Sequence, residues 1–245
     1  MCFRRKAILM IHGFVGGIYD YGNFQNELEY IRNFDVFTFT LPAHEKNIVK
    51  DVKYEEWIKE SENQIELLIN HGYKTIYVIG HSMGGVIAAH LASKYPQIKK
   101  LVLAAPAFRY FYFKDGKVNV RGLNDTLKNL PDIMKNMGTE KVLERIIKTP
   151  IPTMLEFTKL VNTYIGDTKK ITCPTLIIRG NNDQIVPSEG TDYAYNSISS
   201  KCNCLVNIDR VTHDCFTKER KEEVKEIITN FLKHHQKNKK EIINI

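Results

Sequence analysis

Gly80-His81-Ser82-Met83-Gly84-Gly85 follows the apolar run Thr75-Ile76-Tyr77-Val78-Ile79 and leads directly into Val86-Ile87-Ala88-Ala89-His90-Leu91-Ala92. An apolar run, a G-x-S-x-G turn and a helix-forming run read as strand, sharp turn and helix, with Ser82 at the apex. A serine at such a turn sits in a sparsely populated backbone region, and Gly80 and Gly84 leave the room that the turn requires. The helix that begins beyond it aims unpaired N–H groups and the positive end of its dipole at the same spot, where a developing oxyanion needs them. Ser82 is therefore a candidate nucleophile and Met83 N–H a candidate oxyanion donor. The plain alternative is a serine that merely caps the helix.

Outward from this turn, short apolar runs alternate with longer amphipathic ones, the pattern of a mainly parallel sheet with helices on both faces. Strands are expected at 7–11, 35–41, 75–79, 100–104, 175–179 and 204–208, giving a sheet of about six strands. Helices are expected at 19–32, 54–70, 83–94, 189–197 and 218–233. The segment 107–170 breaks the alternation and carries helical stripes of its own, Leu123, Leu127, Leu130 and Met134, then Leu155, Leu160, Val161 and Tyr164. It reads as a helical lid inserted into a core made of residues 1–106 and 171–245. The aromatic cluster Phe108, Tyr110, Phe111, Tyr112 and Phe113 leaves the C-terminal end of a strand, where such sheets bind ligands, so Phe108 and Phe111 are candidate substrate contacts. The plain reading of the stripes is core packing, which a lid also needs.

A serine hydroxyl needs a base, and the base needs a third group to fix its tautomer. Of eight histidines, His213 follows the last expected strand and precedes the last helix, on the sheet edge expected for Ser82. Asp183 stands in Gly180-Asn181-Asn182-Asp183, just after the preceding strand, and is the candidate orienting acid; Asp209 and Asp214 are runners-up. The order Ser82, Asp183, His213 is the one that this kind of fold uses. His12-Gly13-Phe14-Val15-Gly16-Gly17, after the first strand, offers Phe14 N–H as the second oxyanion donor, with His12 as a structural support.

Composition narrows the rest. The chain has 245 residues, 43% hydrophobic and 26% charged, and a net charge of +7 from 35 basic and 28 acidic side chains. The basic residues are dispersed, with their densest cluster at Lys233 to Lys240, which reads as a solvated, partly frayed tail; no nucleic-acid platform is present. Five cysteines without a paired spacing fit a reducing compartment, and Cys202 and Cys204 read as packing residues, with no metal site. Arg4-Arg5-Lys6 before Ala7 to Ile11 imitates a secretion signal, but the apolar run is short and no stretch is long enough to span a membrane. The expected location is the cytoplasm, without stable membrane insertion.

Together these motifs resemble the α/β-hydrolases, and among them the bacterial carboxylesterase and monoacylglycerol lipase branch. The resemblance rests on His12-Gly13-Phe14, Gly16-Gly17, the Ser82 turn, Asp183 followed by Val186-Pro187, and His213. It implies ester hydrolysis through an acyl-enzyme on Ser82, no metal or organic cofactor, and a small-molecule ester with an apolar acyl chain, short to medium or a monoglyceride. Thioesters and other acyl or carbon–carbon bonds are the alternative substrates, and a non-catalytic binding protein of the same fold is the alternative class. Two departures stand out. Many relatives place two further antiparallel strands first, whereas here the glycine loop starts at residue 12, so the sheet is expected to be short, with an edge that is open or covered by a partner, a second copy among the candidates. Pro42-Ala43-His44-Glu45 replaces the Pro-Gly-His-Gly of many relatives.

Overall fold

The computed structural model describes residues 5–45, 48–109, 113–114, 117–118, 148–183, 185–236 and 238–245. Seven strands form the main sheet: β1 Lys6–Ile11, β2 Phe34–Thr38, β3 Ile76–His81, β4 Ile98–Ala104, β7 Thr175–Gly180, β8 Asn203–Ile208 and β9 Lys240–Asn244. A separate hairpin pairs β5 Phe113–Lys114 with β6 Lys117–Val118. The helices are α1 Phe24–Glu29, α2 Tyr54–Asn70, α3 Met83–Lys94, α4 Ile151–Tyr164, α5 Ser188–Ser197 and α6 Lys221–Lys233. The sheet order is β2-β1-β3-β4-β7-β8-β9, and every pairing in it is parallel.

Parallel strands need cover on both faces, and the side-chain alternation shows how it is arranged. Leu9, Ile11, Val78, Leu103 and Ile177 point into one core with α2, α3 and α4. Met10, Ile79, Val102, Ile178 and Val206 point into the other with α1 and α6. The chain enters at β1, steps out to β2, returns past β1 to β3 and then proceeds outward to β9. The order thus reverses between β1 and β3, and the loops leaving those two strands diverge to form a crevice.

Three sequence expectations need correction. The sheet has seven strands, not about six, because part of the basic tail, Lys240–Asn244, pairs with β8. Lysines hide the short Ile242-Ile243 core of that strand, and both isoleucines stay largely exposed. The expected helix over 19–32 is broken into a 3-10 turn, Ile18–Tyr21, and the short α1. Gly22, at φ +55°, turns the chain between them, and a Cβ there would lie 3.3 Å from Thr217. In α4 the buried stripe is Met154, Phe157, Leu160 and Val161, while Leu155 faces solvent. The stripe Leu123 to Met134 and the aromatic residues Tyr110, Phe111 and Tyr112 lie outside the described residues. Among the described residues no helix is long and apolar enough to cross a membrane.

Candidate active site

Four strands, β1 to β4, are each followed by a non-glycine residue with positive φ: Val15 (54°), Ala43 (66°), Ser82 (54°) and Ala105 (46°). Such residues cost about 1–3 kcal/mol each and persist only where the surroundings over-determine them. Their concentration at the C-terminal strand ends marks that edge as the place where the fold stores strain. Ser82 itself has φ 54° and ψ −119°, and its side chain makes no capping hydrogen bond to α3. The capping reading of this serine therefore fails. Its backbone is pinned instead, with N–H donating to Ala104 O at 3.0 Å and its carbonyl accepting from Gly85 and Ala107 N–H.

The glycines around Ser82 are required by contact. A Cβ on Gly80 would lie 2.3 Å from Gly84 O, and one on Gly84 would lie 2.0 Å from Ile11 O. Gly84 thus lets α3 begin directly against the end of β1. Gly13 approaches so closely that a Cβ there would meet Ser82 Cβ at 3.0 Å. Phe14 follows Gly13 in the chain, and Met83 is the first residue of α3, directly after Ser82.

His213 and Asp183 meet, with Nδ1 2.9 Å from Oδ2. The loops that carry them are tied together by Asn181 N–H to Ile208 O and Asn182 N–H to Val211 O, both 3.0 Å. Gly180 makes this approach possible, since a Cβ there would lie 2.2 Å from Val211 O. The second carboxylate oxygen of Asp183 accepts from Ile185 and Val186 N–H at 2.9 Å each, which fixes the side chain's rotamer. Both partners are nearly inaccessible, with side chains 7% and 5% exposed. Burial alone would depress the His213 pKa, but the Asp183 charge and hydrogen bond, helped by Asp214 and Asp20, hold it above the ordinary histidine value. Of the runners-up, Asp209 is exposed beside Arg210 at 3.8 Å, and Asp214, next to His213 in the chain, makes no ion pair among the described residues.

The other site expectations divide. His12 is a support: its Nε2 accepts from Leu41 N–H at 3.0 Å and its Nδ1–H donates to Gly13 O at 2.9 Å, joining the ends of β1 and β2. Burial keeps it neutral by lowering its pKa. His44 in the altered Pro42-Ala43-His44 loop donates through Nδ1 to Pro42 O, which also accepts from Trp57 Nε1. Its pKa is pushed down to about 4, chiefly by burial. Phe108 is fully buried, and its ring lies 6.0 Å from that of Tyr193, so it packs as a core residue. Phe111 lies outside the described residues. A buried aromatic cluster that the sequence did not reveal packs against Phe14 of the loop after β1: Phe14 stacks on Phe157 of α4 at 5.1 Å and meets Trp57 edge-on at 5.9 Å. Only the 3-4 spacing of Met154, Phe157 and Val161 in α4 hinted at it. His81 runs under the His213 loop, with Nε2 3.0 Å from His213 O.

Known proteins are similar to this chain. A carboxylesterase of Bacillus subtilis (strain 168) is 26% identical over 206 residues, which span 80% of this chain and 79% of that protein. A thermostable monoacylglycerol lipase of Bacillus sp. (strain H-257) is 27% identical over 140 residues, 57% of this chain and 55% of that protein. A solved structure from work on two metagenome-derived lipolytic enzymes, LipS and LipT, superposes with a TM-score of 0.75 at 19% identity and 94% coverage of both chains, a likeness of fold. Residues 4–221 match the family model described as serine aminopeptidase, S33, and the chain belongs to this family of α/β-hydrolases.

Proposed function

We propose that the protein hydrolyses carboxylic esters with an apolar acyl chain, monoacylglycerols among them, through an acyl-enzyme on Ser82. The observation that carries this reading is the convergence of an uncapped serine on a strained turn with a buried His213–Asp183 hydrogen bond at one sheet edge. Asp183 holds the imidazole as the Nδ1–H tautomer, which leaves Nε2 as the basic nitrogen. Ser82 Oγ attacks the ester carbonyl carbon as its proton passes to His213 Nε2. The oxygen that becomes negative is received by Phe14 and Met83 N–H. Collapse breaks the bond to the alcohol oxygen, which leaves with the proton from His213. Water, deprotonated by the same nitrogen, then releases the acid from Ser82.

The substrate class is supported by the named activities of the carboxylesterase and monoacylglycerol lipase relatives. The test is the initial rate on p-nitrophenyl esters of increasing acyl length, with Ser82→Ala alongside. Serine-dependent turnover with an optimum acyl length upholds the reading. Turnover confined to thioesters or amides would replace the ester, and the absence of serine-dependent turnover on all of them would favour a binding protein.

A further inference from the structure

Phe14 N–H can serve as an oxyanion donor only if the loop that carries it is held still, and that loop contains Val15 at φ 54°, a strained position for a β-branched residue. Asp20 brackets it. From the 3-10 turn Ile18–Tyr21, the Asp20 carboxylate accepts from Gly17 N–H through Oδ1 at 3.2 Å and from Gly13 N–H through Oδ2 at 3.4 Å. These are the residues on either side of Phe14-Val15-Gly16. The carboxylate lies flat against Gly16, where a Cβ would come within 2.0 Å of Oδ2.

The same carboxylate faces a second partner. His81, the last residue of β3, has Nδ1 3.9 Å from Asp20 Oδ2, an ion-pair separation and not a hydrogen bond. Its other nitrogen, Nε2, lies 3.0 Å from the carbonyl oxygen of His213. A carbonyl only accepts, so Nε2–H is the donor, and Nδ1, the atom turned to Asp20, attracts that carboxylate only when it too carries a proton. The His81 and His213 rings lie 4.9 Å apart, and Phe216 closes the group edge-on to His81 at 5.9 Å. Burial opposes ionisation of Asp20, yet His81 beside it and the Gly17 N–H keep its carboxyl below the usual carboxylate range.

We propose that Asp20 and His81 are a positioning pair that couples the oxyanion loop to the backbone of His213, so that hole and base are set as one unit. This rests on the reading of Ser82, His213 and Asp183 given above. Neither residue is assigned a contact with the reacting atoms; Asp20 acts through the N–H groups of Gly13 and Gly17, which flank Phe14, and His81 through the carbonyl of His213. The charged groups facing His213 are Asp183 and Asp214 from the loops around it and Asp20 from the turn after β1, with His81 beneath. Removing the Asp20 charge should therefore ease deprotonation of His213 while loosening the hole, a pairing that lost packing alone does not produce.

The experiment is the rate of Ser82 labelling by a fluorophosphonate across pH on the full chain, the label located by mass spectrometry, for wild type, Asp20→Asn, His81→Phe and His81→Gln. Thermal unfolding is recorded for each. Asp20→Asn is expected to lower the plateau rate about 10-fold to 100-fold, short of the loss of an entire oxyanion donor. Its acid limb should move to lower pH. His81→Phe should lose a comparable factor, and His81→Gln, which keeps an N–H donor for His213 O, should recover to within about threefold of wild type. Plateau rates and acid limbs unchanged in Asp20→Asn and His81→Phe would overturn the proposal. So would a loss in both with an unmoved acid limb and no recovery in His81→Gln. If Asp20→Asn does not fold, the two His81 variants decide. A wild-type protein that never labels at Ser82 would bring down the underlying reading as well, and is thereby told apart.

Discussion

Asp183 Oδ2 lies 2.9 Å from His213 Nδ1, while Oδ1 of the same carboxylate is held by Ile185 and Val186 N–H. The two backbone donors leave the carboxylate one orientation. In Asp183→Asn they would keep the amide oxygen and turn its NH2 toward His213. That imposes the wrong tautomer, with the proton on Nε2 where Ser82 needs a base. Hydrolysis by Asp183→Asn is expected to fall by about 10³-fold to 10⁴-fold with little change in KM. Steady-state kinetics on a p-nitrophenyl ester checks it, and a loss carried mainly by KM would contradict the tautomer argument.

The raised His213 pKa sets the pH response of both activity and stability. Hydrolysis needs neutral His213, so kcat/KM should rise with pH through an apparent pKa above 6.5, the ordinary histidine value. Stability runs the other way. A histidine whose folded pKa exceeds its unfolded one contributes stability that is complete below the unfolded value and is lost as pH rises through the folded value. Urea midpoints measured on Ser82→Ala from pH 5.5 to 8.5 should therefore fall across the window in which wild-type activity climbs. An activity limb below pH 6 would show that the Asp183 charge does not offset burial.

The stack of Phe14 on Phe157 connects α4 to the oxyanion loop. Phe157→Leu removes the stacking face at a stability cost of about 1–2 kcal/mol. If the stack holds the Phe14 N–H in place, kcat should drop even for an acetate ester too short to touch α4. A fall seen only with long acyl chains would make Phe157 a wall of the pocket and nothing more. Rates on acetate and decanoate esters separate the two.

Ala43 occupies the position at which many relatives carry glycine, and it takes φ 66°, a conformation that costs an L-residue roughly 1 kcal/mol. The loop keeps its shape because Trp57 Nε1 and His44 Nδ1 both anchor Pro42 O. Ala43→Gly is expected to raise stability by about 0.5–1 kcal/mol in urea unfolding, relief of the strain exceeding the entropy that glycine adds to the unfolded chain. A destabilised variant would show that contacts of the Ala43 methyl outweigh the strain.

The features legible in the sequence were those written in contiguous residues. The apolar runs that become β1, β3 and β7 are continuous because those strands are buried on both faces. The bounds of α2 and α3 were readable because a local signal marks each start, Lys53 N–H to Glu56 for α2 and the glycine turn for α3. Ser82, Asp183 and His213 were singled out by their places after strands. What escaped notice depends on distant backbone. His81 meets a carbonyl that side-chain chemistry cannot signal, and Asp20 serves glycine N–H groups that look the same in any loop. The strand β9 escaped because its partner, β8, and not its own lysine-rich composition, determines its pairing.

Lys100 bears on that last strand. It rises from β4 and donates to the carbonyls of Phe231, Leu232 and His234, which end α6 just before the chain turns into β9. The ammonium lies over the rings of Tyr77 and Phe231, and burial, with Lys6 nearby, pushes its pKa down to about 8. Its three N–H donors match three carbonyls at a helix C-terminus, where a cation is favoured. Lys100→Met keeps the chain length and leaves those carbonyls without a donor, so a loss of about 1–3 kcal/mol at pH 7 is expected in urea unfolding. Between about pH 8 and 10.5 the unfolded wild-type chain binds the proton more tightly than the folded one, so this residue makes stability rise with pH, and the rise should vanish in Lys100→Met. Faster amide exchange in β9 of the variant, with β1 and β3 unchanged, would place the loss at the junction of α6 and β9. Uniform exchange across the sheet would mean that Lys100 supports the fold as a whole.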